Sequence, residues 1–337
     1  MTVDQSPALE PTDLVDSAAS AFSELRRVLC SRIVGQQYLV DRLLLALLAN
    51  GHLLVEGAPG LAKTTAVKEL ALRIEGDWHR VQFTPDLLPA DLTGTEIYRP
   101  QTGVFEFQKG PIFHSLVLAD EVNRAPAKVQ SALLEAMGER QVTVGSVTYA
   151  LPKLFLVMAT QNPIEQEGTY PLPEAQMDRF LMHVRIDYPS DATELEILAL
   201  ARTQAREALV PVAAPEVLLR QEQVFAAQSA VLDLHLSPAL EKYIVELVLA
   251  TRHPDRYGDD IAHWVSFGAS PRATIALDRC SRAHAFLEGR DYVSPEDIHA
   301  VAPDILRHRV LMSFDAEAEG FDSSALIERL IERVPVP

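Results

Sequence analysis

The chain has 337 residues, of which 48% are hydrophobic and 23% are charged, and this composition excludes the disordered and membrane-spanning classes of protein. Its 30 Lys and Arg stand against 47 Asp and Glu, a formal net charge of -17. So acidic a chain should repel nucleic acid unless its basic residues gather on one face or in one pore. At roughly 100 to 200 residues per domain, the length predicts two domains.

Targeting signals and cysteines point to a cytoplasmic protein. No apolar run reaches the roughly 18 residues that a bilayer span needs, so no membrane span is predicted. The polar, acidic start Met1-Thr2-Val3-Asp4 does not have the pattern of a signal peptide. Cys30 and Cys280 lie far apart without a metal-like spacing, which favours unremarkable thiols over a disulfide.

Two helices are predicted before the first strand. Residues ahead of about Pro11 look like a flexible tail, after which Phe22, Leu25 and Val28 recur at helical spacing. A second, strongly apolar helix runs from Tyr38 to Leu48 and ends near Asn50-Gly51, a suitable helix stop.

A phosphate-binding loop is predicted next. The apolar run Leu53–Val55 reads as a buried strand, and Lys63-Thr64 opens a helical pattern. Glycines let the backbone fold tightly around an anion at the start of a helix, where the dipole favours negative charge. The predicted cradle comprises Gly57, Ala58, Pro59, Gly60, Leu61, Ala62, Lys63, Thr64 and Thr65. Lys63 would reach the β and γ phosphates and Thr64 would hold Mg²⁺, although an ordinary Gly-Pro turn between strand and helix is the alternative.

Ala62 departs from the usual phosphate loop, which has Gly before the Lys. We place this residue in the first helical turn, where Ala is sterically acceptable. On that interpretation the departure weakens the match only slightly.

Adjacent carboxylates follow the next buried strand. Arg80–Phe83 reads as a strand, a Pro- and Gly-rich segment with a hairpin follows, and the apolar strand Leu116–Ala119 runs directly into Asp120 and Glu121. Such a pair is useful at the carboxyl end of a strand if a cation lies there. Asp120 would orient the water shell of Mg²⁺ and Glu121 would polarise the water that attacks the γ phosphate. The alternative is a solvated acidic turn.

Two further strands complete the predicted sheet. Leu154–Ala159 is a buried strand that leads to Asn162, an amide that could hydrogen-bond the γ phosphate or could be a simple turn residue before Pro163. Met182–Arg185 is the last strand. We expect Asp191 to cap the helix that follows, with Glu194 as its reciprocal acid. Strand signals then disappear, and Ser-Pro pairs begin three later helices, at Ser237, Ser270 and Ser294.

The order of a phosphate loop, a strand ending in Asp-Glu and a strand ending in Asn is similar to the core of an AAA+ ATPase. Longer strings resemble the MoxR family over nearly the whole chain, and an Ala before the loop lysine is familiar in that family. These strings are Asp120–Pro126 (DEVNRAP), Gln130–Met137 (QSALLEAM), Arg140–Val144 (RQVTV), Ala159–Pro163 (ATQNP) and Pro171–Phe180 (PLPEAQMDRF).

The resemblance implies roles that spacing alone does not reveal. Asn162 would sense the γ phosphate, and Arg179 would be the arginine finger that reaches into the neighbouring subunit's site. Without the family, an ion pair of Arg179 with Asp178 or Glu174 would be preferred. Arg272 would be the second sensor, and a nearby anion would explain an Arg at the start of a helix. The segment that packs around adenine would be Val34, Gly35 and Gln36.

We therefore expect an α/β fold, an AAA+ P-loop NTPase core with a five-stranded parallel sheet, followed by an all-helical lid. The expected divisions are a flexible tail at 1–11, the core at 12–189 and the lid at 190–337. The resemblance implies a helix-2 insertion at about 84–111 and a pre-sensor hairpin at about 141–150, both facing a central pore or a client.

The implied activity is Mg²⁺-dependent hydrolysis of ATP by a ring, implied to be hexameric, because a finger acting across subunits leaves a monomer incomplete. Family analogy implies chaperone-like remodelling, maturation or metal-cofactor insertion in a client enzyme complex, alongside a von Willebrand factor A domain partner. A DNA-associated AAA+ motor and a nucleotide-gated scaffold with little turnover are the alternatives. Few basic residues lie near the hairpins (Arg99, Lys109 and Arg140), which argues against nucleic acid as a partner.

Overall fold

The computed structural model describes residues 11–163, 168–207 and 215–337. The predicted tail at 1–11 lies outside these residues except for Pro11, where the first helix begins. In the described part of the chain, no helix combines the length and apolarity needed to cross a bilayer.

The helices occur both between the strands and after the last long strand. They are α1 (Pro11–Arg32), α2 (Gln37–Leu48), α3 (Lys63–Ala71), α4 (Pro89–Thr93), α5 (Ala127–Glu139), α6 (Glu174–Met177), α7 (Asp191–Glu207), α8 (Gln221–Asp233), α9 (Pro238–Arg252), α10 (Asp259–Trp264), α11 (Pro271–Leu287), α12 (Pro295–Leu306), α13 (Phe314–Ala318) and α14 (Ser323–Arg333). Short 3-10 turns lie at Pro111–Phe113, Val122–Arg124 and Pro254–Arg256.

The strands form one large sheet and three small ribbons. They are β1 (Leu53–Gly57), β2 (Trp78–Gln82), β3 (Gly94–Arg99), β4 (Val104–Lys109), β5 (Leu116–Asp120), β6 (Gln141–Val144), β7 (Val147–Ala150), β8 (Leu156–Gln161), β9 (Met182–Ile186), β10 (Val265–Phe267) and β11 (Leu311–Met312).

The large sheet is five-stranded and parallel, as predicted. Its order is β2-β5-β8-β1-β9, and each neighbouring pair is parallel. The carboxyl ends of all five strands therefore lie on one edge, where ligands bind in open parallel sheets. The phosphate loop, the Asp-Glu pair and Asn162 follow β1, β5 and β8, so the strand order brings them to the same edge.

Alternate residues of the central strands enter two hydrophobic cores on opposite faces of the sheet. On one face, Leu53 and Leu118 join apolar residues of α1, α2 and α3 and of the C-terminal helices. On the other, Leu54 and Val117 pack with residues of α5. Covering both faces explains why these strands read as continuous apolar runs rather than as alternating ones.

Antiparallel hairpins extend from this core. The strands β3 and β4 pair from Gly94 opposite Lys109, and β6 pairs with β7 around Gly145-Ser146. The rings of Phe107 and Tyr149 stack with centroids 4.1 Å apart and join the two hairpins.

The C-terminal region is mainly helical but not entirely so. Its helices α9, α11 and α12 begin at the proline after Ser237, Ser270 and Ser294, as predicted. The expectation of an all-helical region is wrong in one respect, because β10 and β11 pair as a small antiparallel ribbon. Strands of three and two residues are too short to leave a period-2 pattern in the sequence.

Ser190, rather than Asp191, caps α7. The backbone N–H of Thr193 donates to Ser190 Oγ at 3.4 Å, and the backbone N–H of Glu194 donates to the Ser190 carbonyl at 2.9 Å. Asp191 is the first residue inside the helix. The prediction was one residue late because Ser and Asp are both strong capping residues and stand side by side here.

Candidate active site

The loop between β1 and α3 has the tight backbone that its glycines predict. Gly60 has φ +87° and open space around it, which suits backbone that faces a ligand. Gly57 is needed for close packing, since a Cβ there would lie 2.4 Å from Ile186 Cγ1. Ala58, the first residue of the loop, is buried. The helix N-terminus that follows presents free backbone N–H groups beside the loop.

Ala62 does not lie in the first helical turn, and that prediction is wrong. It precedes α3 and has the left-handed conformation φ 57°, ψ 16°. A left-handed residue with a Cβ is strained by about 1–2 kcal/mol. Gly would avoid this strain, so the departure from the usual loop has a real conformational cost.

Lys63 extends back over the loop that precedes it. Its Nζ donates to the Gly57 carbonyl at 2.7 Å and to the Gln161 carbonyl, at the end of β8, at 3.4 Å. Burial lowers the pKa of Lys63, and the negative charges of Asp120 and Glu121 oppose that shift. The ammonium group is thus held between the loop and the acidic strand end.

One cavity, which we call the loop cavity, brings the predicted residues together. Its volume is about 330 Å³. It is lined by Pro59, Gly60, Ala62, Lys63, Thr64, Thr65, Arg80, Asp120, Glu121 and Asn162. The strand order of the sheet therefore places two cations, two hydroxyls, two carboxylates and an amide around one space.

Thr160 fixes both members of the acidic pair. It is 1% exposed, and its hydroxyl donates to Asp120 Oδ1 at 2.5 Å. The Thr160 hydroxyl oxygen, Oγ1, also accepts the backbone N–H of Glu121 at 2.9 Å. Because β8 lies next to β5, this single side chain sets the position of Asp120 and the turn at Glu121.

Glu121 has a strained backbone and a well-defined side chain. Its φ of 57° and ψ of 51° are left-handed, a conformation that in non-glycine residues often marks a functional site. Its Oε2 accepts from Gln82 Nε2 at 2.7 Å and from Arg124 Nη1 at 3.0 Å. Glu121 lines the loop cavity together with Lys63 and Asp120.

A second cavity, the side cavity, adjoins the loop and has a volume of about 340 Å³. It is lined by Arg32, Ile33, Val34, Gln36, Pro59, Gly60, Leu61, Ala62, Thr65, Tyr188, Pro189, Glu194, Ile197, Leu200, Ala201 and Gln204. Gly35 has φ +79° and packs so closely that a Cβ would lie 2.3 Å from Thr193 Cγ2. The segment Val34–Gln36 and helix α7 thus enclose the space from two sides.

Comparison with known proteins identifies the family. The model of the ATPase family associated with various cellular activities (AAA) matches residues 52–182, and an AAA lid domain matches residues 260–330. Chaperone MoxR1 of Mycobacterium tuberculosis is 45% identical over 324 residues, 96% of this chain and 83% of the relative. Protein MoxR of Methylorubrum extorquens is 34% identical over 339 residues, 97% of each chain. The chain belongs to the MoxR family of AAA+ ATPases.

A solved structure agrees with this assignment. The crystal structure of a Cytophaga hutchinsonii protein described as an ATPase candidate is 46% identical to this MoxR protein and superposes with a TM-score of 0.88. The match covers 97% of this chain and 98% of that one. The predicted family and the AAA+ core followed by a lid are therefore confirmed.

The two arginines that were predicted to act on the phosphates, Arg179 and Arg272, are not among the described residues that line the loop cavity. Arg179 Nη1 donates to the Leu134 carbonyl at 2.7 Å. Arg272 Nη1 lies 3.5 Å from Asp178 Oδ2, and Arg309 Nε donates to Asp178 Oδ1 at 2.8 Å. Asp178, one of the two ion-pair partners that the sequence suggested for Arg179, thus pairs with Arg272 and Arg309 of the C-terminal region.

Sequence reasoning missed four residues around the carboxylates. Thr160 bridges the pair, Gln82 and Arg124 hold Glu121, and Arg80 binds Asp120 through Nε at 3.0 Å and Nη2 at 2.6 Å. For Arg80 and Gln82, the sequence did contain a signal. Arg80 and Gln82 flank Val81 at the carboxyl end of β2, so their side chains share one face of the strand.

Proposed function

We propose that this MoxR protein hydrolyses ATP to ADP and phosphate with Mg²⁺. The observation that carries the proposal is the loop cavity, which places Lys63, Thr64, Asp120, Glu121 and Asn162 around one space. Phosphoryl transfer needs a cradle for phosphate charge, a metal site and a positioned water. Each requirement has a candidate group here.

The groups fit a magnesium–triphosphate complex. Mg²⁺ prefers hard oxygen ligands and is usually held by one or two protein groups together with phosphates and waters. The Thr64 hydroxyl and the Asp120 carboxylate are such ligands and line the same cavity. Gly60 leaves open space where a side chain would otherwise stand, so backbone can approach phosphate. When bound, the metal would neutralise charge on the phosphates.

Each neighbouring residue has a proposed role. Glu121 polarises the attacking water, and Asn162 hydrogen-bonds the γ phosphate. Lys63 offsets the charge of the β and γ phosphates. The side cavity takes the adenine, with Val34 and Gln36 in its lining and Gly35 packed between them against Thr193 of α7.

We propose that Arg179 acts on the site of an adjacent subunit in a ring, which we take to be a hexamer. In support, Arg179 is not among the described residues that line its own loop cavity, so a contact of Arg179 with a leaving γ phosphate would have to be made in another subunit's site. For Arg272 we propose the second-sensor role that the family implies. The divisions remain a core at 12–189 and a lid at 190–337, with both hairpins directed at a pore or client.

The proposed purpose is chaperone-like remodelling in the cytoplasm. Support comes from the relative named Chaperone MoxR1, and the two chains match over 96% of this one. Maturation or metal-cofactor insertion in a client enzyme complex, and a von Willebrand factor A domain partner, are the finer parts of this proposal.

Glu121→Gln tests the ATPase. Removing the carboxylate charge while keeping the shape should lower turnover by about 10²- to 10⁴-fold, the range for a positioned general base. Nucleotide affinity should change little. The matched control is Glu24→Gln, since Glu24 is an exposed glutamate that pairs with Arg27 on α1. Equal rates of phosphate release from wild type and Glu121→Gln would show that Glu121 is not the catalyst and would favour a nucleotide-gated scaffold.

Mixing variants tests the ring. Arg179→Ala protein should be inactive alone and should recover part of its activity when mixed with Lys63→Ala protein. The reason is that the intact loop of an Arg179→Ala subunit can then meet the intact finger of a Lys63→Ala subunit. No recovery in rings shown by mass measurement to contain both variants would refute action across subunits.

A further inference from the structure

Arg80 binds a carboxylate oxygen of Asp120, Oδ2, that a metal ion could otherwise use. Its guanidinium makes two hydrogen bonds to Oδ2, from Nε at 3.0 Å and from Nη2 at 2.6 Å. The other oxygen, Oδ1, already accepts the Thr160 hydroxyl at 2.5 Å. A carboxylate oxygen has about two lone pairs, so Arg80 uses the full capacity of Oδ2.

Charge gives a second reason for competition. Arg80 lines the loop cavity together with Thr64 and Asp120, so a bound Mg²⁺ would share a small space with the guanidinium. Like charges within a few ångström disfavour each other. The pair is also free to separate, because the Arg80 side chain is 47% exposed and β2 is an edge strand of the sheet.

We propose that Arg80 is a positioning residue that competes with Mg²⁺ for Asp120 Oδ2, so that Arg80 must leave this oxygen before it can serve the metal. This inference rests on the proposed ATPase function. It assigns Arg80 a role that neither the loop motif nor the Asp-Glu motif contains.

The network links this release to Glu121. Arg80 Nη2 also donates to Gln82 Oε1 at 2.9 Å, and Gln82 Nε2 donates to Glu121 Oε2 at 2.7 Å. Arg80 thereby orients the amide that holds the water-polarising carboxylate. When Arg80 leaves Asp120, Gln82 loses a contact that orients it, so loading of the metal site is coupled to loosening of Glu121.

Magnesium titrations of nucleotide binding test the competition. The probe is a fluorescent N-methylanthraniloyl-ADP, which binds without turnover, and the readout is the Mg²⁺ concentration at half-maximal effect on its affinity. For Arg80→Ala this midpoint should fall about fivefold, the factor that corresponds to roughly 1 kcal/mol for a half-exposed ion pair. Affinity for the probe in EDTA should match wild type, whereas a merely structural defect would weaken binding in both conditions.

Two further variants sharpen the result. Arg80→Lys keeps the charge but cannot reproduce both bonds to Oδ2, so its midpoint should lie between those of wild type and Arg80→Ala. It also serves if Arg80→Ala folds poorly. Arg27→Ala removes an equally ordinary, exposed ion pair on α1 and should leave the midpoint unchanged.

The outcomes separate the two proposals. If wild type fails to bind the probe with or without Mg²⁺, the proposed function itself is refuted. If wild type binds in a Mg²⁺-dependent way but Arg80→Ala has an unchanged midpoint, only the competition is refuted. A higher midpoint would also overturn it, since Arg80 would then support the metal site.

Discussion

Thr160→Val isolates the hydroxyl that joins the two carboxylates. Valine keeps the shape of threonine in a site that is 1% exposed, so packing is nearly unchanged. The substitution removes the hydrogen bond from the Thr160 hydroxyl to Asp120 Oδ1. It also leaves the backbone N–H of Glu121 without its acceptor. A bond to a charged group contributes about 1.5–3 kcal/mol, and an unsatisfied buried donor costs about 1–3 kcal/mol. Since Glu121 is partly hydrated, we expect the unfolding free energy to fall by about 2–3 kcal/mol.

The same substitution should slow catalysis. Without Thr160, the left-handed turn at Glu121 loses the contact that holds it, and a displacement near 1 Å at a reacting group can cost about 10²-fold. We expect kcat to fall about 10- to 100-fold, with a smaller change in nucleotide affinity. Urea unfolding monitors the stability, and phosphate release under saturating nucleotide monitors kcat.

Two controls make the Thr160 experiment decisive. Thr160→Ser retains the hydroxyl and should keep most of the activity. Thr143→Val removes an exposed hydroxyl that contacts Thr148 on the β6–β7 hairpin and should change stability by less than about 0.5 kcal/mol. If Thr160→Val unfolds and hydrolyses ATP like wild type, the carboxylates are held by other contacts and the reasoning is refuted.

Two further predictions concern backbone strain and pH. Ala62→Gly should raise the unfolding free energy by up to about 1 kcal/mol, because relief of left-handed strain exceeds the entropy that Gly adds to the unfolded chain. Ala66→Gly, inside α3, should lower it by about 1 kcal/mol or more, and equal losses in urea unfolding would contradict the strain at Ala62. Burial, assisted by the charge of Arg140, lowers the pKa of His52 from 6.5 to about 3. The unfolded chain therefore takes up this proton first, and stability should fall by about 2 kcal/mol between pH 7 and pH 5. In His52→Gln this loss should be absent, and an unchanged pH dependence of urea unfolding would exclude His52 as its source.

Local patterns in the sequence predicted the main parts of this protein. Apolar runs predicted the three central strands β1, β5 and β8, because strands covered on both faces are apolar throughout. The phosphate loop and the Asp-Glu pair were visible because each is a run of adjacent residues. The Ser-Pro helix starts were visible for the same reason, since a cap and its first turn are neighbours in the chain.

Contacts between strands had no such local signal. Thr160 bridges Asp120 and Glu121 only because β8 lies beside β5, and Arg80 reaches Asp120 only because β2 lies on the other side of β5. Each hydrogen-bonded pair is separated by about forty positions in the chain. The local sequence around one residue does not identify the residue to which it will be hydrogen-bonded. The left-handed backbone of Ala62 is likewise set by the packed loop, since isolated Ala prefers right-handed conformations.

The sequence by itself thus identified the phosphate loop, the Asp-Glu pair and Asn162, and the strand that each of them follows. The tertiary structure decided which oxygen of Asp120 meets Thr160 and which meets Arg80, and it placed Arg179 outside its own loop cavity. The physical reason is that periodicity and capping record how a segment meets solvent and core. Hydrogen bonds between distant segments depend on strand order and register, which are properties of the folded chain as a whole.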